Sequence, residues 1–132
     1  MTSPTVVKKS GLRRAEIISL KLFEVSGEIP AIGARRYESR FSRQSQKIFV
    51  EVHYNNFSYR VADATLPLNI RFHGPTGTLL HEIASTSSPK KEYQTAITSL
   101  GWRPDSGWKP GKYVVKVQLD GEVVKEVTFE VQ

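Results

Sequence analysis

Apolar and polar residues alternate one by one through much of this chain, a period that confines the backbone to extended strands. Ile48, Val50, Val52 and Tyr54 share one face, and Lys47, Phe49, Glu51 and His53 share the other. Leu66, Leu68, Ile70 and Phe72 alternate in the same way with Pro67, Asn69 and Arg71. Tyr113, Val115, Val117 and Leu119 form a further strand, and Val123, Val127, Phe129 and Val131 form its return. Ile18, Leu20 and Leu22 alternate with Ser19, Lys21 and Phe23 near the start, and Tyr93, Thr95 and Ile97 alternate with Gln94, Ala96 and Thr98. Turn signals separate these runs. The segment 73–78, His-Gly-Pro-Thr-Gly-Thr, has hairpin length, with residues 79–84 as the partner strand, and Asp120-Gly121 is a type I′ signal. No stretch carries a helical period. About seven strands at intervals near ten residues predict an all-β, antiparallel two-sheet sandwich, with barrel closure of the same strands as the alternative.

The run from Trp108 through Pro110, Gly111, Tyr113, Asp120 and Gly121 to Phe129 resembles the closing hairpin of bacterial immunoglobulin-like and fibronectin-III-like domains. In these, a Pro-Gly-x-Tyr entry leads into the penultimate strand, and the last strand ends in Phe-x-Val. The resemblance implies an immunoglobulin-like sandwich serving as a non-catalytic accessory domain. Tyr113 is then expected to bury its ring while its hydroxyl caps a nearby backbone group, as in a tyrosine corner.

A chain of 132 residues holds one domain with a real core. Cysteine is absent, so buried apolar surface must stabilise the fold without disulfides. Residues 1–13 mix Pro, Ser, Thr, Gly and Lys without period and read as a flexible basic tail, leaving 14–132 as the sandwich. The start contains no apolar run of signal-peptide length, and no stretch approaches the roughly 20 apolar residues that span a bilayer. The chain is accordingly expected to be cytoplasmic.

The net charge is +6, and residues 1–47 supply all of it, with ten basic side chains against four acidic ones. Within that third, Arg35, Arg36, Arg40 and Arg43 interleave with Tyr37 and Phe41. Arginine and tyrosine combine contact area with hydrogen bonding, so this segment is the first candidate surface, suited to a protein partner with an acidic face. A solvated basic face without a partner is the plain alternative. An exposed edge strand is a second means of engaging a protein. Trp102 and Trp108 flank a loop holding Arg103, Asp105 and Lys109, the kind of aromatic pair on which sugar rings stack. The same tryptophans equally serve to plug the ends of a core. Nucleic acid ranks below both partners, because no recognised motif accompanies the basic residues.

Catalytic signals are missing. His53, His73 and His81 lack metal-ligand spacing, although His73 and His81 can face each other across the hairpin with Glu82 or Glu51 nearby. No Gly-x-Ser-x-Gly elbow is present, and Gly74-Pro75-Thr76-Gly77-Thr78 lacks the Lys of a phosphate loop. The expectation is a binding or assembly module with no enzyme activity, no cofactor and no metal.

Overall fold

A computed structural model describes residues 13–121 and 124–132. The proposed tail therefore lies outside the described residues except for Arg13, and so does Val123. Eight strands form: β1 Ala15–Val25, β2 Arg40–Phe41, β3 Lys47–Asn56, β4 Leu66–His73, β5 Leu79–Ser87, β6 Thr95–Trp102, β7 Gly111–Leu119 and β8 Lys125–Val131. A single 3₁₀ turn, Ile32–Ala34, lies between β1 and β2. The strands divide into two open sheets, β1-β3-β6 and β2-β8-β7-β4-β5, so barrel closure is not adopted.

Alternation dictates the core. Val50, Val52 and Tyr54 of β3, Leu66, Ile70 and Phe72 of β4, and Val115, Val117 and Leu119 of β7 are all fully buried between the sheets. Each such apolar side chain contributes about 1.5–3 kcal/mol when removed from water. Strand β1 departs from the simple pattern. A bulge between Ile17 and Ser19 shifts its register against β3, so Ala15 and Ile17 are buried while Ile18 is half exposed. Beyond the bulge, Phe23 and Val25 join Phe49 in a second apolar cluster.

The segment after β1 forms a crossing between sheets. Tyr37 forms a lone antiparallel bridge with Phe23, and Arg40 and Phe41 then pair in parallel with Glu130 and Val131 of β8. The closing hairpin pairs β7 with β8 as its sequence suggests, and Asp120 and Gly121 at its turn both take positive φ, 52° and 74°. Arg14 braces this turn from the far end of the chain, with Nε and Nη2 at 3.1 and 2.7 Å from the Asp120 carboxylate.

Candidate functional site

The arginine segment does not form one surface. Arg35 turns inward: its guanidinium donates to Glu51 Oε1 at 2.7 Å, to Ser99 Oγ at 3.0 Å and to the Pro30 carbonyl at 2.9 Å. It also lies 4.6 Å from the Phe23 ring centre. Tyr37 donates its hydroxyl to the same Glu51 oxygen at 2.6 Å while Lys21 approaches its ring. That hydrogen bond to Glu51 is the main reason the Tyr37 phenol titrates above its usual value, with desolvation adding to it. Arg35, Glu51 and Tyr37 thus clasp the segment after β1 onto the outer face of the three-stranded sheet, over Phe23 and Phe49. Phe41 is likewise internal, edge-on to Phe129 in the core. Only Arg36, Arg40 and Arg43 of the four arginines remain on the surface. Arg40 approaches Glu130 at 3.9 Å, and Arg43 donates to the Gln132 carbonyl. Part of the early positive charge is met by later acids: Arg14 by Asp120, Arg35 by Glu51 and Arg40 by Glu130.

The tryptophans pack at one end of the sandwich. Trp108 is 4% exposed, donates Nε1–H to the Gln46 carbonyl at 2.8 Å and meets Tyr113 and Phe129 edge-on. Trp102 is half-buried among Phe72, Trp108 and His81, and the His81 ring stacks on it at 4.9 Å. Trp108 is therefore not available for sugar stacking, and His81 covers one face of Trp102. The tyrosine corner forms as the resemblance implies, Tyr113 donating to the Lys109 carbonyl at 2.7 Å and accepting from its N–H. Outside this aromatic group lies an apolar groove of about 410 Å³ walled by Pro75, Leu80, Trp102 and Pro104.

The histidine pair is not assembled. The register sets His81 opposite Phe72, and a shift there sets His73 opposite Leu79, so the two rings do not face each other. Among the described residues no group of three His, Asp or Glu side chains is placed to hold a metal ion.

The sheet edges show a different feature. Strand β1 guards its edge with the bulge and with Glu16, Lys21 and Glu24; β2 is two residues long, and the stretch of β8 that it leaves unpaired carries Lys125 and Glu126; β5 carries Glu82 and begins at a register shift. Strand β6 has none of these protections. Its sequence, Thr-Ala-Ile-Thr-Ser-Leu-Gly-Trp, contains no charge and no proline, and it pairs with β3 over eight residues without a break. The Asn56 N–H bonds to the Gln94 carbonyl at 2.8 Å, which makes that opposed pair a hydrogen-bonded one. In an antiparallel ladder such pairs alternate, so Ala96, Thr98, Leu100 and Trp102 bond to β3. The N–H and C=O groups of Thr95, Ile97, Ser99 and Gly101 then point away from it.

A second groove of about 410 Å³ runs along Thr95, Ala96, Ile97 and Thr98, lined also by Ile32, Pro89, Lys90 and Tyr93. Ile32 and Tyr93 are 50% and 61% exposed. A hydroxyl chain closes its floor, Tyr54 to Ser87 at 2.5 Å and Ser87 to Thr98 at 2.7 Å. Burial pushes the Tyr54 phenol above its usual value, and the two hydroxyls hold part of that rise back. Edge-strand binding is anticipated by the sequence, but the strand is not. The one available signal is the eight-residue run without charge or proline.

No protein-family model matches the chain, and no curated protein matches its sequence. Solved structures do share its fold. An alkylpurine DNA glycosylase, AlkC of Pseudomonas fluorescens, bound to DNA containing an abasic-site analog, matches 90% of this chain at 15% identity and a TM-score of 0.59. The chain spans 30% of that protein's length. The C-terminal domain of Wzt matches 90% of the chain and 74% of its own, at 11% identity and a TM-score of 0.57. An immunoglobulin-like protein of Pseudomonas aeruginosa, PA1606, matches 91% of the chain and 98% of its own, at 11% identity and a TM-score of 0.51. The fold is thus an immunoglobulin-like β-sandwich of two sheets and eight strands.

Proposed function

We propose that this sandwich is a non-catalytic binding and assembly module that engages a protein partner by accepting an extended segment at the free edge of β6. The unguarded edge, with outward backbone groups at Thr95, Ile97, Ser99 and Gly101 beside a groove, is the observation that carries this reading. Backbone pairing supplies affinity in such strand addition, and side-chain pockets on either side supply specificity. The arginine segment is set aside as the main surface because Arg35 and Phe41 are internal. The carbohydrate alternative loses its basis in stacking with the burial of Trp108 and the cover over Trp102. Two supports for an accessory role are the resemblance of the closing hairpin to accessory domains and the occurrence of the fold as part of a larger glycosylase chain.

Site-specific photo-cross-linking in the native host tests the proposal. Benzoylphenylalanine at Ile97 is expected to give discrete polypeptide adducts, and the same group at Arg71, exposed on β4 and paired on both sides within the other sheet, is not. Equal adducts at both positions, or none at Ile97, would contradict it.

A further inference from the structure

If the β6 edge accepts a strand, the chemistry of the edge selects which strand. We infer that the occupant is β6 of a second copy of this chain, laid antiparallel about a two-fold axis at Thr98, an inference that rests on the strand-addition reading above. The outward-facing residues are symmetric about Thr98. The rotation therefore sets Thr95 opposite Gly101 of the second copy and Ile97 opposite its Ser99. Outward groups meet outward groups in every such pair, and each pair exchanges both of its N–H···O bonds. Thr98 meets its own symmetry mate on the inward side, and opposed threonines are a stabilising cross-strand pair. The two three-stranded sheets join into one of six, in the order β1-β3-β6-β6-β3-β1.

Charge and apolar cover favour a second copy over a foreign strand selected by charge. Residues 95–102 carry no ionisable side chain, and Arg35, which reaches Ser99 Oγ, is neutralised there by Glu51, so two copies meet no unpaired like charge along the seam. The nearest cation on the groove wall, Lys90, approaches Asp63 at 4.0 Å within its own chain. Ile32 stands half exposed beside the edge, so the two-fold brings one copy's isoleucine to each half of the seam. The unbroken β3–β6 register leaves the edge without the bulge that would twist a partner away.

Sedimentation velocity on the full chain over a wide concentration range tests this inference. A reversible monomer–dimer equilibrium is expected. Ile97→Pro should weaken it at least about tenfold, because it deletes an outward N–H and sets a ring in the seam while sparing the β3 ladder. Ile97→Lys should do the same without altering the backbone, since the axis brings the two ammonium groups near each other. Circular dichroism should show both variants folded, and Ile97→Lys decides the matter if the proline variant does not fold. A wild-type chain that stays monomeric at every concentration overturns the inference, as does a dimer that a folded Ile97→Lys leaves intact. If the chain is monomeric and cross-linking at Ile97 still captures a different polypeptide, the second copy is refuted and the strand-addition role stands.

Discussion

Removing Arg35 should destabilise the domain far more than removing its neighbour Arg36. The side chains of Arg35 and Glu51 are 9% and 4% exposed and meet at 2.7 Å, so Arg35→Ala leaves a carboxylate inside the structure with only the Tyr37 hydroxyl for company. Breaking a buried pair from one side costs about 3–5 kcal/mol. The carboxylate can regain water only if the segment after β1 lifts from Phe23 and Phe49, and exposing either ring costs about 1.5–3 kcal/mol. Both routes lead to a loss of several kcal/mol. Urea unfolding should show this as a lower midpoint, and a loss of about 3 kcal/mol should lower Tm by roughly 10–15 °C. Glu51→Ala should behave alike, and the double variant should cost less than the sum, because the two act as one unit. Arg36→Ala, on an exposed side chain, should stay within about 0.5 kcal/mol. An Arg35→Ala midpoint no lower than that of Arg36→Ala would refute the clasp and return Arg35 to the surface as a binding residue.

Tyr113→Phe should cost about 1–3 kcal/mol in the same assay, because the Lys109 carbonyl and N–H both lose the hydroxyl that satisfies them; an unchanged midpoint would remove the corner as a stabilising device. Tyr54 should make the fold sensitive to alkali. Its folded value lies above the ordinary 10.0, so its contribution is complete below that value. The unfolded chain ionises first as pH rises past it, and stability falls towards the folded value. Tyr54→Phe should flatten that decline relative to wild type in unfolding measured across the range, and an equally steep decline would assign it to other groups.

Alternation in β4 and β7 is legible because only one face of each strand is buried, so one period describes the whole element, whereas in β3 it describes the core face alone and Phe49 and Glu51 are buried on the other. Strand β1 resists that reading. The bulge after Ile17 puts Ile18 on the outside, and the segment clasped by Arg35 gives Phe23 and Val25 a second core on the sheet's outer face. Arg35 itself looks like a surface residue in sequence because its acid, Glu51, lies 16 residues away on a strand whose polar face faces out until that segment covers it. Trp108 and Tyr113 lie close in the chain, and their packing follows from the Pro-Gly entry. His81 on Trp102 joins β5 to β6 and has no local signature. The working edge is invisible for a related reason: the period shows which side chains face the core, whereas only strand order shows which backbone groups lack a neighbour.

Amide hydrogen exchange along β6, followed by NMR at concentrations dilute enough to keep the chain monomeric, tests the open edge most directly. Ala96, Thr98 and Leu100, bonded to β3, should exchange slowly, and Thr95, Ile97, Ser99 and Gly101 should exchange fast, giving a strict alternation along the strand. Uniform protection of all these amides in the dilute monomer would mean that the edge is already covered, and would contradict the account.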